Sequence, residues 1–190
     1  MVLLILCLLN PQLGPENEAR LMEGLKKLGT FKLHFEQETY SDFLDSTVAE
    51  GELIVARPGK MRMTYKKGDQ KLIIWDGQST YEKDFMADTE SRQPIGDIRQ
   101  EPLVQILLYG SNLKDFFLID RIDVDGTKVF RLRPREESDY HVILELDSKD
   151  LPSILEVAGA DGEGTRFHFT DIQLNPDLAG DAFRIPPENP

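Results

Sequence analysis

Cysteine, histidine and positive charge are all scarce in this sequence of 190 residues. Its one cysteine, Cys7, excludes an intramolecular disulfide and a cysteine-based zinc site. Its 22 lysines and arginines are outnumbered by 34 acids, which gives a net charge of −12. Binding to nucleic acid depends on a basic face that releases counterions, so this balance argues against a nucleic-acid partner.

Long apolar runs are missing as well. The most apolar stretch, Val2–Leu9, is far shorter than the roughly 20 residues of a membrane-spanning helix. It matches the apolar centre of a secretory signal, although the charged start and the small-residue cleavage site are absent. We interpret residues 1–14 as an incomplete signal segment and expect residues 15–190 to form a single domain. A buried N-terminal strand or helix is the alternative, and lipidation of Cys7 is a third possibility.

Motifs for catalysis are also missing from the sequence. It contains no Gly-x-Ser-x-Gly, P-loop, His-Glu-x-x-His or Gly-x-Gly-x-x-Gly motif. His34, His141 and His168 fall at strand positions that alternation turns to solvent, so we predict no metal site. We therefore predict no catalytic residue, no cofactor and no enzymatic activity. A hydrolase that pairs one of the many acids with a histidine is the competing hypothesis.

Hydrophobic periodicity indicates one helix followed mostly by strands. A leucine stripe of helical spacing follows Pro15 and ends at Gly29, and from Thr30 onward apolar residues recur at every second position. A second helix is predicted from Pro102 to Gly110, and another helical turn at Leu113–Leu118. Residues 84–100 are polar and are predicted to be irregular. Further strands are predicted at Glu50–Arg57, Lys60–Lys66, Lys71–Trp75, Ser79–Lys83, Lys128–Arg133, His141–Asp147, Ile154–Ala158 and Thr165–Leu174.

This order of elements favours a mainly β fold of the α+β type. About six strands precede the mid-chain helices and about five follow them, joined by turn sequences such as Asp76-Gly77. A long antiparallel sheet tends to curl toward closure. We therefore predict a single curved antiparallel sheet whose edges approach closure. The two amphipathic helices would lie across its mouth or against its concave face and enclose apolar space.

The segment around Arg57 is the most informative part of the chain. In a regular strand Leu53, Val55 and Arg57 share one face, and in the next strand Met61, Met63 and Tyr65 also share one. An arginine at the rim of an apolar face has five N–H groups that can bind the free carbonyls of a helix end. The alternative is an arginine that extends to solvent and pairs with a surface acid.

Several short motifs occur in the order seen in one known family. From Leu21 to Pro187 the sequence resembles the periplasmic outer-membrane lipoprotein carrier protein (LolA) family. The matching pieces are the N-terminal helix, Phe35-Glu36-Gln37, Gly51-Glu52-Leu53, Arg57-Pro58-Gly59-Lys60-Met61-Arg62, Asp76-Gly77, the Pro102–Gly110 helix, Asn175-Pro176 and Phe183-Arg184-Ile185-Pro186-Pro187. Together, in this order and with compatible spacing, they are fairly specific.

The resemblance implies an incomplete antiparallel β-barrel in which the N-terminal helix and a mid-chain helical lid cover an apolar cavity. It also implies how the sites would work. Arg57 matches the arginine that hydrogen-bonds to the lid backbone in the family, so it is expected to hold the lid shut. Met61 and Met63 stand where the family commonly has aromatic residues, and methionine can pack in the same way. The expected lining of the acyl-binding cavity is Leu53, Val55, Met61, Met63, Tyr65, Leu103, Ile106 and Leu107.

The resemblance also implies a place and partners for the protein. It would be a monomeric carrier in the periplasm that shuttles acylated lipoproteins from the inner to the outer membrane. Its partners would be those lipoproteins, an inner-membrane exporter complex and an outer-membrane lipoprotein acceptor. Two alternatives remain: a membrane-anchored acceptor of the same fold, and a general lipid-binding or lipid-sensing module.

Overall fold

The described residues form eleven strands and three helices. The computed structural model describes residues 15–95, 102–110, 113–122, 124 and 126–187. The helices are α1 (Pro15–Lys26), α2 (Pro102–Tyr109) and α3 (Leu113–Phe116). The strands are β1 (Thr30–Tyr40), β2 (Thr47–Ala56), β3 (Lys60–Lys67), β4 (Lys71–Asp76), β5 (Ser79–Asp84), β6 (Thr89–Pro94), β7 (Phe117–Arg121), β8 (Lys128–Pro134), β9 (Tyr140–Leu146), β10 (Pro152–Gly159) and β11 (Gly164–Leu174).

All eleven strands belong to one curved antiparallel sheet. Their order is β6-β5-β4-β3-β2-β1-β11-β10-β9-β8-β7, so β1 lies at the centre between β2 and β11. The two edge strands, β6 and β7, are not paired with each other, and the sheet therefore stays open. The prediction of a mainly β fold with an incomplete barrel is confirmed.

Two details of the predicted secondary structure were wrong. Thr89–Pro94 forms β6, although its polar sequence has no apolar alternation. It is a strand because it pairs with β5 in antiparallel register. The predicted second helical turn stops at Phe116, and the rest becomes β7. There Phe117 and Ile119 are buried while Leu118 between them is exposed, which is the alternation of a strand. Residues 96–100 of the predicted irregular segment lie outside the described residues.

The hydrophobic core lies on the concave face of the sheet, beneath the helices. Phe31, Leu33 and Phe35 of β1 point into it at alternate positions. The predicted leucine stripe of α1 is buried in the same cluster, together with most of α2. In α2 the burial extends around the helix: Val104 and Gln105 are as inaccessible as its core-facing residues. A helix that is mostly apolar and buried on nearly every side belongs inside a protein, so α2 is a layer of the core.

Candidate functional site

Arg57 joins helices α1 and α2 to the sheet through backbone carbonyls of both helices. It follows directly after β2, where its own amide donates to the carbonyl of Gly29 at 2.9 Å. Its side-chain Nε donates to the carbonyl of Leu107 at 2.6 Å, and Nη2 donates to that of Ile106 at 2.7 Å. Nη1 donates to the carbonyl of Leu25 at 2.5 Å. We call this arrangement the Arg57 cluster.

The carbonyls in the Arg57 cluster lie in the last turns of two helices, and that of Leu25 also accepts from the amide of Leu28 at 3.2 Å. The last four carbonyls of a helix lack an intrahelical partner, and they also form the negative end of its dipole. Leu25 lies in the last turn of α1, and Ile106 and Leu107 lie in the last turn of α2. Because α2 has no basic residue in that turn, the guanidinium of Arg57 supplies both the hydrogen bonds and the positive charge.

Burial changes the acidity of Arg57 without removing its charge. Loss of hydration disfavours the charged form and lowers the pKa of Arg57 to about 10. The guanidinium therefore stays protonated at neutral pH, and all three hydrogen bonds keep a charged donor. Gly110, directly after α2, lies against this group: a Cβ there would come within 2.8 Å of Nη2. A side chain at this position would press on the guanidinium of Arg57.

The eight residues predicted to line a cavity lie together, but they are packed against one another. Leu53 and Val55 of β2 and Met61 and Met63 of β3 share the concave face and are buried. Tyr65 is half-buried and packs edge-on against the ring of Phe35. From α2, Ile106 and Leu107 are buried in the same cluster, and Leu103 packs at its border. Their role in binding acyl chains stays a prediction, and it requires α2 to move away from the sheet.

An open cavity lies next to this packed region, at the end of the sheet where β1 stops and β2 starts. It has a volume of about 640 Å³, and we call it the end pocket. Its walls include Leu44, Pro102, Tyr140 and Val157. Val157 follows the buried Leu155 by two residues, so it points to the concave face. Since Pro102 begins α2, the end pocket lies at one end of this helix and the Arg57 cluster at the other.

Tyr40 is held at the wall of the end pocket by a small polar network. Its hydroxyl donates to Oε1 of Glu156 at 2.6 Å, and Arg166 binds both oxygens of the same carboxylate. Burial, followed by the hydrogen bond and the negative charge of Glu156, raises the pKa of Tyr40 to about 12. Tyr40 is therefore a neutral donor in a fixed position at any physiological pH.

Sequence reasoning missed the end pocket. Its walls come from β1, β9, β10 and the start of α2, which are distant in the chain and meet only through the strand pairing. One signal was available, since Asp42-Phe43-Leu44-Asp45 places two large apolar residues in a turn between strands. That arrangement is unusual for a turn that serves only as a connection.

The three histidines occupy the solvent-facing positions that alternation predicts. His34 is exposed on the face opposite the core, 3.6 Å from a carboxylate oxygen of Glu52, and His168 lies between the buried Phe167 and Phe169. Within the described ranges, no group of three or more histidine, cysteine or acidic side chains is arranged to hold a metal. Among these same residues, no helix has the length and apolar character needed to cross a bilayer.

Comparisons with known proteins agree on one family. A model of the family described as outer membrane lipoprotein carrier protein LolA matches residues 26–186. An outer-membrane lipoprotein carrier protein from Nitrosomonas europaea is 28% identical over 196 aligned positions, covering 98% of this chain and 93% of that protein.

Solved structures with a similar fold include a LolA superfamily protein from Nitrosomonas europaea. It has a TM-score of 0.50 at 13% identity, and the match covers 88% of this chain and 97% of that one. A chain of the Pseudomonas aeruginosa MucA/MucB complex has a TM-score of 0.52 at 19% identity, with 90% of this chain covered. The match covers 60% of that chain, so this chain spans about three-fifths of its length.

Proposed function

The chain belongs to the LolA family of outer membrane lipoprotein carriers, and from this premise we propose that it carries acylated lipoproteins through the periplasm, from the inner to the outer membrane. Proteins of this family are carriers and not enzymes. The proposed partners are the lipoproteins themselves, an inner-membrane exporter complex and an outer-membrane acceptor. The carrier acts as a monomer.

The free energy of exposing acyl chains explains why a carrier is needed. Each methylene moved from an apolar environment into water costs about 0.8 kcal/mol, so one sixteen-carbon chain costs on the order of 11 kcal/mol. A lipoprotein with three such chains faces roughly 30 kcal/mol, which prevents unaided passage through an aqueous compartment. An apolar interior that opens and closes removes this barrier without any chemical step.

The observation that carries the proposal is the Arg57 cluster. One side chain fastens the ends of α1 and α2 to the sheet. The buried faces of both helices belong to the same core cluster as most of the residues proposed to receive acyl chains. When acyl chains replace α2 against Leu53, Val55, Met61 and Met63, they substitute one apolar surface for another, whereas the two hydrogen bonds from Arg57 to α2 are lost. These bonds therefore favour the empty, closed form and promote release of the cargo.

Acyl binding can be measured through the single tryptophan. Trp75 of β4 is buried in the core and pairs across the strands with Met61. Titration with a synthetic triacylated lipopeptide is expected to change the emission of Trp75 in a saturable way. The same peptide without acyl chains serves as the control. A Trp75 signal that is equal for both peptides, or absent for both, would refute binding in this interior.

The role of Arg57 requires a delivery measurement. We expect Arg57→Leu to fold and to bind the lipopeptide, but to deliver it about tenfold more slowly to an acceptor protein, because the closed form loses its charged hydrogen bonds. Arg131→Leu removes an arginine that is exposed on β8 and serves as the matched control. Equal delivery by the two variants would show that Arg57 does not drive release.

A further inference from the structure

The turn between β1 and β2 exposes two large apolar side chains at the opening of the end pocket. Phe43 is 84% exposed and Leu44 is 75% exposed, the two highest values among the large apolar residues described. Leu44 also forms part of the pocket wall. The turn has a defined shape, since the amide of Phe43 donates to the hydroxyl of Ser41 at 3.2 Å. This surface is therefore an apolar groove with a raised apolar edge.

Four carboxylates surround this groove and decide what it can accept. Asp42 and Asp45 flank the two apolar residues, and the β10–β11 turn brings Asp161 and Glu163 beside them through the pairing of β1 with β11. The turns are packed closely: Gly162, at φ +81°, leaves no space for a Cβ next to the carboxylate of Asp42. We call these four side chains the acidic rim.

The acidic rim carries negative charge that the described part of the chain does not neutralise. Glu163 contacts the hydroxyl of Ser41, and Asp161 accepts a hydrogen bond from the amide of Glu163. In the part of the chain that the structure describes, no lysine or arginine forms an ion pair with any of the four carboxylates. Other acids of this protein, such as Glu52 and Glu156, do pair with bases.

From the groove and its charge we propose that this end of the sheet docks a basic polypeptide segment of a partner protein. The segment carries lysine or arginine on both sides of a large apolar side chain. That apolar side chain enters the end pocket beside Leu44, and the flanking bases pair with the acidic rim. The inference goes beyond acyl carriage, because it concerns a protein that docks at the opening and not the cargo inside.

Two other occupants fit the surface less well. An anionic bilayer would receive Phe43 and Leu44 but would be repelled by the four carboxylates. A second copy of this chain, placed with the same face against the first, would bring two acidic rims together, and like charges at an interface cost several kcal/mol. A basic segment satisfies the apolar groove and the charge at the same time.

The test measures binding of a defined peptide to the full chain. The probe is a fluorescein-labelled peptide of about a dozen residues in which two leucines are flanked by lysines. A second peptide with glutamate in place of each lysine is its control. Fluorescence anisotropy is recorded at low salt and at about 0.15 M salt. We expect the basic peptide alone to bind, and its affinity to fall with salt because the rim charges are exposed.

Matched variants locate the binding surface. Phe43→Ser with Leu44→Ser, and separately Asp42→Asn with Asp45→Asn, are each expected to weaken peptide binding about tenfold. The control for the apolar pair is Val124→Ser with Leu174→Ser, which are exposed at the opposite end of the sheet. The control for the charges is Asp177→Asn with Asp181→Asn, which changes net charge equally at an exposed C-terminal segment. Both controls should bind as the unmodified chain does.

Three results would overturn the proposal. Equal loss in the charge control would show that net charge alone attracts the peptide. Binding of phosphatidylglycerol vesicles that depends on Phe43 and Leu44, without peptide binding, would identify a membrane contact. A dimer in sedimentation that Phe43→Ser with Leu44→Ser dissolves would identify a second copy as the occupant. Because none of these readouts uses acyl chains, failure here leaves the Trp75 titration and the carrier proposal intact.

Discussion

Arg57 and Glu52 show two ways in which this protein stabilises a charged side chain. Arg57 is largely removed from water and binds three backbone carbonyls. Glu52 lies on the opposite face of β2 at the surface and is surrounded by Lys32 at 3.3 Å, Lys66 at 3.1 Å and His34 at 3.6 Å. The first arrangement fastens helices, whereas the second stabilises neighbouring strands through charge.

The ion pairs of Glu52 should therefore make the free energy of unfolding depend on pH in the acidic range. Burial raises the pKa of Glu52, but hydrogen bonds from Lys66 and Lys32 outweigh this and hold it below 4.5. Because the pKa is lower in the folded state, the contribution is complete above pH 4.5 and disappears as the pH falls through the folded value. Glu52→Gln is expected to lower the free energy of unfolding by about 1 kcal/mol at pH 7.

Urea unfolding of both proteins at a series of pH values provides the measurement. The difference between them should shrink below pH 4.5 and vanish in stronger acid. A difference that stays constant down to pH 3 would mean that Glu52 stabilises the sheet by packing and not by charge.

At the scale of elements, two features of α2 decide how firmly it is held. It is a short helix of eight residues buried on nearly every side, yet its C-terminal end depends on a side chain from another element. Isolated helices of this length are marginal in water, so its order comes from packing and from the Arg57 cluster. The proposed function requires this helix to leave the sheet as a unit once those bonds break.

Gly110→Ala tests this dependence without touching Arg57. The added Cβ would lie 2.8 Å from Nη2, and the guanidinium could move only by weakening its bonds to α2. We expect the amides of α2 to exchange with deuterium about tenfold faster, while those of β1 remain protected. Gly180→Ala, which meets no atom within 4 Å, is the matched control. Unchanged exchange in α2 would show that packing alone holds the helix.

At the scale of the whole molecule, an open sheet and a large negative charge act together. The sheet ends in two edge strands, β6 and β7, whose outer backbone groups offer sites for pairing with other chains. The net charge of −12 opposes such contacts between copies. A closed barrel would have no free edge strands. In this open sheet, the negative charge opposes pairing of edge strands between copies instead.

This balance predicts a monomer whose association depends on pH. Sedimentation velocity near pH 7.5 should give a single species of 21.7 kDa. Near pH 4.7, where the net charge approaches zero, the protein should self-associate because repulsion no longer protects the edges. Returning the sample to pH 7.5 is the control for unfolding, because association caused by loss of charge should reverse. A stable dimer at pH 7.5 would contradict this prediction.

Local patterns in the sequence were enough to predict the architecture. Alternation in β1, the leucine stripe of α1 and the turn at Asp76-Gly77 are set by neighbouring residues, and they correctly predicted one open antiparallel sheet with helices beside it. Strand β6 could not be predicted in this way, because its polar residues acquire their order from β5. The position of Arg57 could be predicted from its strand, since alternation turned it toward the core.

Only the tertiary structure determined where the end pocket and the acidic rim lie. That the predicted cavity residues are packed, and that open volume lies instead at the other end of α2, depends on how far a curved sheet and two helices approach each other. The acidic rim likewise joins Asp42 and Asp161, which are distant in sequence and meet through the pairing of β1 with β11. Periodicity specifies which face a side chain occupies, whereas cavities and charged surfaces depend on contacts between distant segments.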